Sequence, residues 1–313
     1  MDYRQFGSTG LRVSPICLGC MTFGREISEE ASVPIIRRAL EAGINFFDTA
    51  NVYGKGASEE ITGRALHSVR DRVVIASKFY GQMGDDTNDR GGSRYHIMNS
   101  VEASLRRLQT DHIDLYQMHR FDSETPLEET LRALDDLVRA GKVRYIGCSN
   151  YAAWQIVKGL WISDVEHLVK FVSVQPRYNL VFRDPEPDLL PMCLNEKIAV
   201  ILYSPLGGGF LTGKYKQSET IPQDTRLGNV QLYRDVYLKD KNFRVVTALT
   251  DYANKRGVPK EQLAIAWVMS HPAVTAPIIG ARTIDHLETA FKAYDLKMTK
   301  EERDMITKLA DEA

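Results

Sequence analysis

A single parallel α/β barrel of eight strands, spanning residues 1–313, is the fold that the sequence predicts. Three observations point to it. Eight short apolar runs follow one another along the chain, amphipathic stretches of helical period separate them, and polar residues close several of the runs at one end. Short buried runs alternating with helices call for parallel βα units, and eight such units fit one domain of this length. A doubly wound sheet is the competing arrangement. Against it, no G-x-G-x-x-G follows the first run, where "GCMTFG" has the wrong spacing.

The elements read in order. The opening "YRQFGSTGLRVS" (3–14) looks like a two-stranded hairpin capping the barrel bottom, and "ICLG" (16–19) is the first barrel strand. The helix pattern "PIIRRALEAG" (34–43) places Pro34 near a helix start, where a missing N–H is tolerated, and ends in a glycine stop. "NFFD" (45–48), "VVIASK" (73–78) and "DLYQMH" (114–119) are the second to fourth strands, with the helix "IMNSVEASLRRLQ" (97–109) before the last of them. "LEETLRALDDLVRAGK" (127–142) leads into "VRYIGCS" (143–149). "FVSVQ" (171–175) and "IAVILYS" (198–204) follow, and "QLAIAWVMSH" (262–271) precedes the eighth strand, "TAPIIG" (275–280). The longest stretch without periodicity is 207–240, after the seventh strand, and such a stretch in a compact domain is usually a lid or binding loop. An amphipathic helix, "KEERDMITKLADEA", closes the chain.

Composition narrows the function. The chain is 43% hydrophobic and 26% charged, with a formal net charge of −1, which gives no reason to expect nucleic acid or a membrane surface as partner. No apolar run approaches the roughly 20 residues of a membrane span, and the start lacks a secretion signal. A cytoplasmic protein with reduced thiols is the expectation. Cys17 and Cys20 form a C-x-x-C, which is either a redox pair, half a zinc site or simply buried thiols in an apolar strand. No second C-x-x-C or histidine pair completes a zinc site, and no H-x-H closes the first strand as a metal-dependent hydrolase would require.

In a barrel of this kind, function sits where the strands end. Asp48 closes the second strand, Lys78 the third and His119 the fourth; Ser149 and Asn150 follow the fifth, and Gln175 ends the sixth. Tyr53 lies on the loop over the same rim. Each alone has a structural explanation, but together they suit one chemistry. A phenol is a poor acid at its free pKa of about 10. A neighbouring ammonium lowers that value toward the working range. Asp48 would hold Lys78 charged, and His119 would hydrogen-bond a substrate oxygen. That is a proton donor beside a polarised carbonyl.

A separate stretch, "GGFLTGKY" (208–215), fits the phosphate-loop pattern G-x-x-x-x-G-K-[ST] except at its last position, where Tyr215 replaces the hydroxyl that would hold magnesium. Whether Lys214 meets a triphosphate or a different phosphate is decided by the rest of the sequence.

The sequence closely resembles the aldo-keto reductase family. "GINFFDTANVYGKGASEEITGRAL" (43–66) is similar to its signature, and "DLYQMHR", "YIGCSN", "VQPRYNL", "YSPLGGGFLTGKY" and "IIGARTIDHLE" are similar to further blocks in family order, essentially from Tyr3 onward. The resemblance implies a barrel that binds NADPH, with NADH as a second cofactor, and reduces small carbonyl substrates to alcohols. It implies the tetrad Asp48, Tyr53, Lys78 and His119, with Tyr53 as general acid. Tyr203 would stack on the nicotinamide, while Ser149, Asn150 and Gln175 would hold its carboxamide. Ser204, Pro205, Leu206 and Gly208 would line the loop over the cofactor, and Lys214 would reach the pyrophosphate. Gly280, Arg282 and His286 would meet the 2′-phosphate end, and Cys20 and Met21 would line the cleft. Where relatives carry Arg or Gln followed by Glu-Asn, this chain has His286, Thr289 and Ala290, which departs from the family's adenine contacts. Phe23, Val52, Tyr80, Arg120 and Phe121 should ring a substrate mouth left open by the short C-terminal tail. Arg120 would meet a phosphate or carboxylate there, or else pair with Asp122. The competing function is that of an NADPH-binding regulatory subunit of low turnover.

Overall fold

The computed structural model describes residues 1–217, 219–223 and 225–313. Eight parallel strands close into a barrel, β3 (Cys17–Gly19), β4 (Phe46–Asp48), β5 (Val74–Phe79), β6 (Ile113–Met118), β7 (Val143–Ser149), β8 (Phe171–Gln175), β9 (Ala199–Leu202) and β10 (Val274–Gly280), each hydrogen-bonded to the next, with β10 returning to β3. All eight expected strands are present in the expected order. The opening hairpin is there too: β1 (Arg4–Gln5) pairs antiparallel with β2 (Arg12–Val13).

Two apolar layers hold this arrangement. Inside the barrel, Cys17, Phe46, Val74, Leu115, Ile201 and Ile278 pack on one another. The hairpin drives Phe6 and Val13 into the same cluster from below, with the Phe6 ring edge-on to Phe46 at 5.7 Å. The N-terminal end is thereby plugged, which leaves the C-terminal rim as the open face. The outer layer lies between strands and helices and contains most of the buried aliphatic side chains. Its helices are α1 (Glu29–Glu41), α2 (Ala57–Leu66), α3 (Arg94–Leu108), α4 (Leu127–Arg139), α5 (Ala153–Val165) and α6 (Leu189–Glu196), then α7 (Arg226–Asn229), α8 (Gln231–Tyr237), α9 (Asp240–Arg256), α10 (Lys260–Met269), α11 (Ile284–Asp295) and α12 (Lys300–Glu312).

Two expectations are corrected. Pro34 lies inside α1 rather than at its start, because Ser28 caps the helix six residues earlier: its side chain accepts the Ala31 N–H, and Glu29 and Glu30 occupy the first turn, where the helix dipole favours them. The stretch 207–240 is not a loop without structure of its own. It holds a helical turn at Gly207–Thr212 and the helices α7 and α8, which are too short to give a periodic pattern. Within that stretch, Ser218 and Asp224 lie outside the described residues. No helix of the described chain is long and apolar enough to cross a membrane.

Cys17, Cys20, Cys148 and Cys193 are all buried free thiols. Burial pushes the Cys20 thiol up to about 12, so it has little thiolate character. Among the described residues no group of histidine, cysteine and carboxylate side chains could hold a metal ion.

Candidate active site

Parallel pairing brings the chemistry together. Asp48 ends β4 in register with Ala76 of β5, and Lys78 lies two residues further on, on the same inward face. Beyond Asp48 the chain keeps hugging β5, with Thr49 N–H donating to Ala76 and Asn51 N–H to Lys78. It then turns through Gly54 and Gly56, both at positive φ, into α2. A buried relay anchors the turn, in which Thr49 Oγ and Ser58 Oγ share a hydrogen bond of 2.7 Å and Ser58 donates to the Cys20 carbonyl at 2.7 Å. Tyr53 is thus held over the rim.

The Lys78 ammonium is fully buried, donates to Asp48 Oδ1 at 2.5 Å and to the Thr49 carbonyl at 2.8 Å, and reaches the Tyr53 hydroxyl at 3.4 Å. Asp48 Oδ2 accepts from Gln175 Nε2 at 2.9 Å and from Gln117 Nε2 at 3.1 Å. A buried charge pair survives only when its remaining hydrogen-bonding capacity is met, and the two glutamines meet it. The His119 ring stands edge-on to Tyr53, with centroids 5.7 Å apart. The four expected tetrad residues therefore converge.

Their protonation states follow from burial and charge. Burial pulls the Lys78 ammonium down, but Asp48 and Tyr53 together outweigh it and hold it above its ordinary value, so it stays charged. Burial, aided by Lys78 and Arg120, takes His119 down to about 3, leaving a neutral imidazole. For Tyr53 the sequence-based direction is reversed. Burial pushes the phenol up by more than Lys78 pulls it down, and Asp48, which neutralises part of the lysine's field, pushes it up further. The site holds a protonated phenol beside an ammonium and a neutral imidazole, an arrangement able to donate a proton to an oxygen placed among them.

The second half of the rim is equally specific. Ser149 Oγ donates to the Gln175 carbonyl at 2.8 Å, Asn150 Nδ2 donates to the His119 carbonyl at 3.0 Å, and the Tyr203 hydroxyl donates to Asn150 Oδ1 at 2.8 Å. Ser204 Oγ shares a hydrogen of 2.8 Å reach with Tyr233 of α8, tying the 207–240 stretch to the end of β9. Pro205 and Leu206 carry the chain into the glycine run, where Gly207, Gly208 and Gly209 all have positive φ. A Cβ on Gly209 would lie 2.9 Å from Lys214 Cε, and one on Gly208 2.7 Å from the Tyr233 ring, so both positions require glycine.

These residues fit a phosphate-bearing dinucleotide. Lys214 and Arg282 are exposed cations, and no ion pair among the described residues includes either. Arg282 stands just before α11, whose N-cap Thr283 makes no side-chain cap, and Gly280 ends β10 just before it. His286 Nδ1 accepts the Arg282 N–H at 3.3 Å, and loss of solvent followed by the charges of Arg282 and Lys214 lowers its pKa. The three side chains thus share one cationic neighbourhood at a helix N-terminus.

Some expected side chains do not reach the cleft. Phe23 is fully buried in the outer core, and Cys20 is likewise buried with its thiol near Thr62, so neither presents surface there. Met21 is half-buried and lies beside Arg226. Val52, Tyr80 and Phe121 are half-buried and Arg120 is exposed. The alternative pairing of Arg120 with Asp122 is not formed. Asp122 instead accepts from the Gly92 and Glu124 N–H groups and from Thr125. Tyr80 holds φ 114, strain of a kind that collects at functional sites. Sequence reasoning missed Gln117, although a polar side chain two residues before His119 in an apolar strand shares its inward face. It also missed Arg226, which pairs with Glu26 at 3.1 Å and so fastens α7 to the β3–α1 loop.

A buried lysine–aspartate pair thus lies below a tyrosine at the C-terminal rim of a parallel barrel. The Aldo/keto reductase family profile matches residues 15–311, and the chain belongs to that family. It is 39% identical to an uncharacterized oxidoreductase of Bacillus subtilis, over 96% of this chain and 93% of that protein. It is 38% identical to a versiconal hemiacetal acetate reductase of Aspergillus parasiticus, over 96% and 95%. It is also 38% identical to a probable voltage-gated potassium channel subunit beta of Arabidopsis thaliana, over 95% and 92%.

Proposed function

We propose that this oxidoreductase reduces small aldehydes and ketones to alcohols with NADPH, Tyr53 giving the proton. The observation that carries this reading is the fully buried Lys78 bonded to Asp48 and within reach of the Tyr53 hydroxyl. A bound nicotinamide supplies hydride to the carbonyl carbon. The chain's own residues do the rest. The Tyr53 hydroxyl and the His119 imidazole hold the carbonyl oxygen, Tyr53 passes its proton to that oxygen as negative charge develops, and Lys78 stabilises the phenolate left behind. Asp48, Gln117 and Gln175 keep Lys78 in place. Tyr203 would offer a face to the nicotinamide, and Ser149, Asn150 and Gln175 would hold its carboxamide. Steady-state NADPH oxidation against a panel of aldehydes, ketones and sugars tests the reading; turnover with none of them, in protein shown to bind NADPH, overturns it. That outcome would favour the second reading, an NADPH-binding regulatory subunit, for which the similarity to a channel beta subunit speaks.

Arg282 is the residue that selects NADPH over NADH in this proposal. Charge-assisted hydrogen bonds to a 2′-phosphate are worth about 1.5–3 kcal/mol, and each 1.4 kcal/mol is about tenfold. Arg282→Ala is expected to weaken NADPH about ten- to a hundredfold and to leave NADH nearly unchanged in fluorescence titration. Equal weakening of both cofactors would assign Arg282 to holding its loop.

The 207–240 stretch closes over the cofactor in the same proposal. It is fastened at two points, Arg226 to Glu26 and Tyr233 to Ser204. Hydrogen exchange across it is expected to slow when NADPH is added. Unchanged exchange with the cofactor bound would show that the stretch does not act as a lid.

A further inference from the structure

Arg177 stands two residues beyond β8, where its backbone bridges in parallel to Tyr203. Its guanidinium carbon lies 5.1 Å from the ring centroid of Phe182, 5.2 Å from that of Tyr233, 5.7 Å from that of Tyr203 and 6.0 Å from that of Tyr237. Its Nε is buried without a partner, and no ion pair among the described residues includes it. Asp184 and Asp188 line a cleft of about 390 Å³ with it, but both are exposed, where water screens their field. The proton-transfer machinery makes no use of this cation. Aromatic faces hold a guanidinium through their quadrupoles without cancelling its charge, so Arg177 is a fixed positive charge beside Tyr203.

We infer that Arg177 sets the preference of the site for reduced over oxidised cofactor. The inference rests on the proposed stacking of nicotinamide on Tyr203. Stacked ring centroids are about 4.5–7 Å apart. Added to the 5.7 Å between Arg177 and the Tyr203 ring, that places the nicotinamide no more than about 10–13 Å from the guanidinium, whichever face it takes. The dihydronicotinamide ring is neutral and the oxidised ring carries a positive charge, so only the oxidised form is repelled. Two other nearby cations are paired, Lys78 with Asp48 and Arg226 with Glu26, and add little. At that separation and an effective dielectric between about 25 and 40 in a cleft open to water, the repulsion amounts to about three- to tenfold in Kd. The consequence is a site that takes up NADPH and sheds NADP+, and in which the bound cofactor is easier to reduce than it is free.

The test is to titrate NADPH and NADP+ into the parent protein, Arg177→Met and Arg177→Lys, with melting temperatures recorded for each. The methionine keeps apolar bulk among the rings and removes the charge; the lysine restores the charge. Arg177→Met is expected to bind NADP+ about three- to tenfold more tightly with NADPH within about twofold of the parent, and Arg177→Lys to keep the parent's ratio. Both cofactors weakened alike in Arg177→Met, or an unchanged ratio, would overturn the inference and leave Arg177 a packing residue. Arg177→Lys behaving like Arg177→Met would overturn it too. Failure of the parent to bind either cofactor would overturn the proposed function instead, and the two failures are distinguishable.

Discussion

Tyr53→Phe is expected to lose at least about a hundredfold in kcat for carbonyl reduction while NADPH affinity stays within about twofold, the low end of what a positioned general acid supplies. The substitution removes only the hydroxyl. The ring keeps its edge-on contact with His119 and its place beside the Lys78 ammonium, which lies 4.9 Å from its centroid. Among the described residues the hydroxyl's one hydrogen bond is the 3.4 Å donation from Lys78, so little of the fold depends on it. Steady-state rates and cofactor titration on the same preparation separate chemistry from binding. The pH dependence adds a second readout. A phenol held above its ordinary pKa by burial stays protonated through neutrality. The parent's reduction rate is therefore expected to be flat near pH 7 and to fall only as pH rises through the phenol's alkaline pKa. The variant should lack that fall. Near-normal turnover of Tyr53→Phe would remove Tyr53 from the acid's role.

Most of the barrel was legible because its strands are buried on both faces and so read as short apolar runs. The polar residues that end them, Asp48, Lys78 and His119, stand out against that background. Ser28 was harder to read as a helix start, since Pro34 offered a stronger local signal than a single serine cap. The short helices α7 and α8 gave no period to detect. In the site, side chains were legible where type and rim position together implied a role. Their state was not. The direction of the Tyr53 shift depends on how much water the fold removes from the phenol, and pairwise reasoning from Lys78 alone gives the opposite sign. Phe23 shows the same limit. An aromatic residue after a rim strand was assigned to the mouth, whereas contacts distant in sequence bury it completely. Arg177 sits within "VQPRYNL" with no local signal of its own, because its meaning comes from four rings contributed by three segments of the chain.

Lys78→Met is expected to leave only a small residual rate of reduction and to destabilise the fold, and the two effects have different causes. Without the ammonium, nothing offsets burial at Tyr53, so the phenol becomes a weaker acid still, and the phenolate formed on proton transfer loses its counter-charge. The alkaline fall of whatever rate remains should move to higher pH. A residue with only a packing role would leave that fall in place, so coincident pH profiles for parent and variant would sink the assignment. The stability effect arises at Asp48. That carboxylate is nearly inaccessible to water and keeps only the two glutamine N–H groups once the lysine is gone. Removing one partner of a buried ion pair typically costs about 3–5 kcal/mol, and hydrogen bonds from Gln117 and Gln175 should hold the loss toward the lower end of that range. The sign with pH follows from Lys78 being held above its ordinary value. In the parent, its contribution is complete below the free lysine pKa of about 10.4 and is lost only as pH rises through the higher folded value. The stability gap between parent and Lys78→Met, measured by urea unfolding, should therefore be constant through neutrality on account of Lys78 and narrow only in strong alkali. A double variant, Lys78→Met with Asp48→Asn, removes the stranded carboxylate. It is expected to recover stability and no activity, because the charge beside the phenol is still missing. Recovery of turnover in that double variant would show that Lys78 serves Asp48 rather than Tyr53.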